Sequence, residues 1–70
     1  MYILYYADTM EPLFCTNWGS PTFDSLDEVA DYLNAAYDRF DCIDETEKVT
    51  IFEVFEQGSM LYIAAVKEDN

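Results

Sequence analysis

Residues 48–67 have the sequence KVTIFEVFEQGSMLYIAAVK, in which two apolar runs flank the dipeptide Gln57-Gly58. Glycine adopts the positive φ angle of a tight two-residue turn without steric penalty. The sequence therefore predicts a β-hairpin with strands at residues 48–56 and 59–67, joined by this turn. It is the clearest structural signal in the chain.

Both faces of this predicted hairpin are largely apolar. If Glu56 lies opposite Ser59, the alternation of a strand places Thr50, Phe52, Val54, Leu61, Ile63 and Ala65 on one face. The opposite face then holds Val49, Ile51, Glu53, Phe55, Met60, Tyr62, Ala64 and Val66. One amphipathic helix covers only one face of a sheet, so the second face needs another cover. We weigh a homodimer, a partner docked on Ile51, Phe55, Met60 and Tyr62, and a monomer in which Trp18, the turn at residues 6–12 and the chain ends fold over it.

The residues before the hairpin predict two strands and a helix. Residues 1–7 carry large apolar side chains on both faces, as expected of a buried strand, and residues 13–18 predict a second strand that returns antiparallel to it. Ser25 is a natural helix N-cap, with Glu28 placed to complete a capping box. The apolar stripe of the helix is Leu26, Val29, Ala30, Leu33, Tyr37 and Phe40.

These elements predict one α+β domain that spans residues 1–70. An acidic connection at residues 41–47 follows the helix and leads into the hairpin. The expected architecture is an antiparallel sheet of about four strands in ββαββ order, with one helix packed on one face.

Composition excludes several classes of function. The 70 residues include 15 acids, three bases and no histidine, for a formal net charge of -12. Direct binding to nucleic acid or to an anionic membrane needs basic groups, so neither is expected. One Trp, six Tyr and five Phe are more aromatic residues than a disordered acidic tail carries, which indicates a folded domain.

The same inventory gives little material for catalysis or for a cofactor. Without histidine there is no catalytic triad, no imidazole ligand and no ordinary base near neutrality, so we do not expect an enzyme. The acids of residues 41–47 lack the spacing and the glycine of an EF-hand loop, so neither a metal site nor a cofactor is predicted.

The ends and the cysteines bear on location. The apolar start of the chain has no basic region before it, and no apolar run is long enough to span a bilayer, so we expect a soluble cytoplasmic protein. Cys15 and Cys42 fit no common zinc framework. Buried or half-buried thiols, a disulfide, and a reactive or intermolecular thiol remain open alternatives, in that order of preference.

The acids are the main functional signal. The candidate partner-binding residues lie on the helix and in the connection after it: Asp27, Glu28, Asp31, Asp38, Asp41, Asp44, Glu45 and Glu47. Carboxylates on one helix face lie about 5–6 Å apart between Cβ atoms. That spacing is similar to the interval between successive phosphates of a nucleic-acid strand. A solvated face that only keeps the protein soluble is the alternative.

In size, charge and compactness the whole chain resembles the small acidic DNA-mimic inhibitors of phages and mobile elements, which include anti-restriction and anti-CRISPR proteins. The resemblance transfers no residue roles, because members of this class differ in fold. It implies a stoichiometric inhibitor that occludes the basic site of a nucleic-acid-binding complex. In the host cytoplasm, a defence complex is then the expected partner.

Two other functions remain open from the sequence. An oligomerisation or adaptor domain would bind through the apolar sheet face, with the charge serving only solubility. An antitoxin-like regulator of a basic partner would share the electrostatics of the inhibitor, and only the identity of the partner separates those two.

Overall fold

The computed structural model describes residues 1–14 and 21–68. In chain order, these residues form β1 (Tyr2–Tyr6), α1 (Leu26–Ala36), β2 (Arg39–Glu45), β3 (Val49–Glu56) and β4 (Ser59–Lys67). The strands make one antiparallel sheet in the order β1-β4-β3-β2. The prediction of an α+β fold with one helix and four antiparallel strands is confirmed. The predicted ββαββ order is wrong, because one strand precedes α1 and three follow it in the described part of the chain.

The hairpin forms in the predicted register. Glu56 lies opposite Ser59, and the pairing continues without a shift to Val49 opposite Val66. The two turn residues between the strands have positive φ angles of 50° at Gln57 and 83° at Gly58. Two successive left-handed residues are typical of the type I′ turn, whose twist matches that of the strands it joins.

The start of α1 follows the capping prediction. The Ser25 hydroxyl oxygen accepts a hydrogen bond from the backbone N–H of Glu28 at 3.4 Å. In return, Oε2 of Glu28 accepts from the backbone N–H of Asp24 at 2.6 Å. The first bond satisfies a backbone donor that the first turn of a helix otherwise leaves free, whereas the second reaches the residue before the N-cap, one position earlier than in a regular capping box.

The helix ends earlier than its apolar stripe predicts. Tyr37 has extended backbone angles and caps the helix with its N–H, which donates to the carbonyl of Leu33 at 3.0 Å. Phe40, predicted as the last member of the helical stripe, lies instead on β2 opposite Val54. The stripe continues past Ala36 in sequence because a strand also directs an apolar residue to the core at this position.

The predicted acidic connection at residues 41–47 is also wrong over most of its length, because residues 41–45 belong to β2. Phe40 and Cys42 alternate with acids and lie opposite Val54 and Phe52 of β3. Charged residues are depleted in most strands. They are tolerated here because β2 is an edge strand with all but Phe40 exposed to solvent.

The second strand predicted at residues 13–18 does not form in its described part. Leu13 donates a backbone hydrogen bond to the Leu4 carbonyl at 3.0 Å, and Tyr5 and Pro12 make an isolated bridge, but residues 13 and 14 do not belong to a strand. Pro12 has no N–H to extend a ladder with β1. Residues 15–18 of the prediction lie outside the described residues.

The hydrophobic core lies between α1 and one face of the sheet. Val29 and Leu33 of α1 are fully buried. The sheet residues buried with them are Leu4, Phe52, Val54, Ile63 and Ala65. Leu13 and Phe14 pack against this same core. Trp18, which the monomer alternative placed over the opposite face, lies outside the described residues.

Candidate functional site

The sheet face turned away from α1, called the outer face below, is apolar over most of its area. The pairing registers place Ile3, Tyr5, Val49, Ile51, Phe55, Met60, Tyr62 and Val66 on it. Most of these side chains are half-buried by their own neighbours, and Met60 is 47% exposed. The four candidates Ile51, Phe55, Met60 and Tyr62 therefore share one face, and no described element packs over it.

Two strands contribute acids to the β2 side of this outer face. Asp41 lies directly opposite Glu53, and Asp44 lies opposite Ile51. A β-bulge between Cys42 and Asp44 keeps Asp44 on the outer face despite its odd spacing from Asp41. We call Asp41, Asp44 and Glu53 the acidic margin.

Glu53 is a member of the acidic margin that the sequence-based list of candidate acids lacks. It lies within an apolar strand, and its pairing with Asp41 depends on the register between β2 and β3. The alternation of acids with Phe40 and Cys42 is a sequence signal from which β2 could have been predicted as a strand. No local pattern gives the register between β2 and β3.

The acidic margin lies beside the apolar residues of the outer face. Ile51 is the cross-strand neighbour of Asp44, and Tyr62 is the cross-strand neighbour of Glu53. The guanidinium carbon of Arg39 lies 4.3 Å from the ring centroid of Phe55, its own cross-strand neighbour. This cation therefore stacks on an aromatic ring, in a favourable cation–π contact.

The acids of α1 lie on the other layer of the molecule. Asp27 and Asp31 are exposed on the helix, one turn apart, with the sheet between them and the acidic margin. Glu28 is also exposed, and its carboxylate is held in the helix cap. The candidate acids thus divide between two surfaces of the protein.

The remaining candidate acids lie at the ends of β2. Glu45 is opposite Thr50, which places it on the α1 side of the sheet, and Glu47 lies in the turn between β2 and β3. Asp38 precedes β2, and its Oδ2 accepts a hydrogen bond from the backbone N–H of Gln57 at 3.1 Å. All three are exposed. Asp38 has a structural partner, so it is a poor position for a clean binding test.

Cys42 is exposed on the edge strand, so the expectation of a buried or half-buried thiol is wrong for this residue. Within the described part of the chain it has no disulfide partner, and its Sγ lies 3.9 Å from the carbonyl oxygen of Asp44. Cys15 lies outside the described residues.

The tyrosines near the C-terminal end of α1 are held in the neutral form. Burial raises the pKa of Tyr37 to about 12, and Tyr32, Tyr6 and Glu56 add to that rise. Burial also raises the pKa of Tyr32, with smaller contributions from Tyr6 and Glu56. Neither phenol is poised to act as a base near neutral pH.

In residues 1–14 and 21–68, no three or more Cys, Asp or Glu side chains are grouped so that they would hold a metal ion. A shallow cleft at the start of α1 is lined in part by Ser25, Asp27 and Lys67. The Ser25 hydroxyl is already used as the helix cap. None of the helices among these residues combines the length and the apolar character that crossing a membrane requires.

Comparison with known proteins gives no relative for this chain. No family model, no curated protein and no solved structure matches it.

Proposed function

We propose that this chain is an acidic inhibitor that binds a basic, nucleic-acid-binding protein and blocks its site with carboxylates in place of phosphates. The observation that supports this most is that the acidic margin adjoins apolar residues on one face of the sheet: Asp44 lies beside Ile51, and Glu53 lies between Asp41 and Tyr62. The partner class is a host defence complex of the anti-restriction or anti-CRISPR target type, met in the host cytoplasm. The chain is then a phage or mobile-element product.

The spacing of the acidic margin is compatible with a phosphate row. Asp41 and Asp44 lie opposite residues two positions apart on β3, which corresponds to about 6.6 Å along the strand. Glu53 lies beside Asp41 on the neighbouring strand, where Cβ atoms of paired residues are about 4.5–5.5 Å apart. A groove of Lys and Arg side chains that holds a nucleic-acid backbone would meet carboxylates at similar intervals.

The like-charge pair also supports a role beyond solubility. Carboxylates placed directly across two strands repel each other and destabilise the sheet. The Asp41–Glu53 pair is such a case, and the neighbouring cation, Arg39, stacks on Phe55. A surface selected only for stability would alternate acids with bases. The repulsion within this pair is relieved if the partner supplies the missing positive charge.

The apolar part of the outer face complements the acids. Stable protein interfaces combine a dehydrated, often aromatic centre with a polar rim. Phe55 and Tyr62 are suited to anchor such a centre, while Asp41 and Asp44 lie on its rim. Charge then accelerates association, and the apolar contacts slow dissociation.

The test uses two double charge reversals that change the net charge equally on opposite layers of the protein. We expect Asp41→Lys/Asp44→Lys to abolish binding to the partner captured from a host lysate. Asp27→Lys/Asp31→Lys should weaken binding only mildly, through the long-range field. Equal effects of the two variants would refute the acidic margin as the site, and no effect of either would refute electrostatic mimicry.

A second candidate function is supported by the apolar outer face itself, which α1 does not cover. An oligomerisation or adaptor domain would bind through Ile51, Phe55, Met60 and Tyr62. In that case Phe55→Lys disrupts assembly, whereas the acidic reversals do not, and binding persists in several hundred millimolar salt. An antitoxin-like regulator of a basic toxin is separated from the inhibitor by the identity of the captured partner.

A further inference from the structure

The two edge strands of the sheet, β1 and β2, differ in whether other described backbone segments pair with them. At the β1 edge, Tyr2 and Phe23 exchange backbone hydrogen bonds of 2.7 and 2.9 Å. Further along the same edge, Tyr6 donates to the carbonyl of Glu11 at 2.9 Å. Backbone groups of Glu11 and Phe23 therefore pair with β1 from its open side. An edge covered in this way cannot accept another strand.

The β2 edge carries no such cover from the described residues. Along β2, the backbone pairing recorded for residues 1–14 and 21–68 is with β3 alone. In an antiparallel ladder, alternate residues direct their N–H and C=O groups away from the neighbouring strand. Because Glu56 and Ser59 close a two-residue turn, the backbone groups of Phe52 face β4. Cys42, opposite Phe52, therefore directs its N–H and C=O to the open side.

The charges on β2 select the kind of strand that fits this edge. Asp41 and Asp44 lie on the outer face and Glu45 on the α1 face, so an added strand meets carboxylates on both of its faces. A second copy of the chain would bring the same acids and a net charge of -12 of its own, so it is repelled. An extended segment rich in lysine or arginine is attracted.

We infer that the β2 edge binds an extended basic segment of the partner protein by strand addition. β2 has seven residues, which offers about 23 Å of edge. The bulge after Cys42 limits the regular part to residues 39–42 and so disfavours indiscriminate pairing with other edges. The choice of a basic occupant rests on the proposed function, whereas the open edge does not.

The experiment titrates isotopically labelled protein with an acetylated, amidated heptapeptide, KVKVKVK, at low salt. We expect the amide of Cys42 to exchange with solvent at least about tenfold more slowly in the complex, because its N–H becomes hydrogen-bonded. The acidic peptide EVEVEVE should not bind. Unchanged exchange at Cys42 with bound KVKVKVK would mean charge attraction alone and would overturn the inference.

A matched pair of variants tests the backbone contact directly. Cys42→Pro removes the outward N–H without changing charge, while Cys42→Ala keeps it. We expect Cys42→Pro to weaken peptide binding between about 2-fold and 12-fold relative to Cys42→Ala, the factor for one net hydrogen bond. Equal affinities in folded variants would contradict strand addition. If Cys42→Pro does not fold, the exchange measurement decides.

Three results separate this inference from the proposed function. Loss of partner binding in Asp41→Lys/Asp44→Lys, without Cys42 protection by the peptide, overturns strand addition and keeps the inhibitor. If the peptide protects Cys42 but the charge reversals leave partner binding unaffected, strand addition is supported and the proposed inhibitor is overturned. Protection of Cys42 without any peptide, in a protein that sediments as a dimer, assigns the edge to a second copy and overturns the inference.

Discussion

Oδ2 of Asp38 accepts a hydrogen bond from the backbone N–H of Gln57 at 3.1 Å, across 19 positions of sequence. The backbone N–H of Asp38 also donates to the carbonyl of Phe55 at 2.9 Å. Asp38, which precedes β2, therefore stabilises the turn between β3 and β4 through these hydrogen bonds. This contact gives one candidate acid a structural role.

Removing this contact should destabilise the fold. We expect Asp38→Ala to lower the free energy of unfolding by about 0.5–1.5 kcal/mol, the net value of one hydrogen bond. Urea denaturation measures the change, with Asp31→Ala as the control because Asp31 is exposed on α1. Equal stability of the two variants would show that the Asp38 contact contributes nothing.

The left-handed turn predicts substitutions of opposite sign. Gln57 has a φ angle of 50°, a region that asparagine and glycine tolerate better than glutamine. Gln57→Asn should therefore raise the melting temperature. Gly58→Ala should cost about 1–2 kcal/mol through backbone strain alone, since no atom lies within 4 Å of the added Cβ. A stabilising Gly58→Ala would contradict the turn geometry.

The raised pKa of Tyr37 predicts a loss of stability at high pH. In the folded state the pKa is about 12, against the ordinary value of 10.0. The folded protein therefore holds this proton more tightly than the unfolded chain, and the stabilisation is complete below pH 10 and lost as the pH rises toward 12. Tyr37→Phe should lose stability less steeply over that window. Identical profiles for the two proteins would refute the shift.

Asp41 is a position where binding and stability should respond in opposite directions. Asp41→Lys replaces a like-charge pair with an attractive pair to Glu53, so we expect stability to rise by about 0.2–1 kcal/mol. Partner binding should fall, because the acidic margin loses a carboxylate. Thermal melts and a binding titration on the same sample check both effects. A less stable, folded Asp41→Lys would contradict the assigned pairing.

Local signals made most of the fold predictable. The Gln57-Gly58 turn and the alternation around it specify a hairpin and its register within 20 residues of chain. Ser25 and Glu28 specify the start of α1 through a hydrogen bond between residues three positions apart in sequence. These elements were predicted correctly because the residues that determine them are neighbours in sequence.

The edges of the sheet were not predictable in this way. β2 was missed because an edge strand holds Asp41 and Asp44 toward solvent, and a run of acids resembles a connection in sequence. Its pairing with β3 includes a bulge, so counting along the chain does not show that Asp41 meets Glu53. For the same reason, the sequence identified the candidate acids but did not show that they lie on different surfaces of the protein.

The most direct test of the central claim is displacement of a labelled nucleic acid from the captured partner protein, measured by fluorescence anisotropy. We predict that the protein releases the nucleic acid in a 1:1 titration at low salt, that Asp41→Lys/Asp44→Lys does not, and that the apparent affinity falls steeply as salt increases. A ternary complex that keeps the nucleic acid bound, with affinity indifferent to salt, would contradict the claim and favour the apolar part of the outer face as the contact.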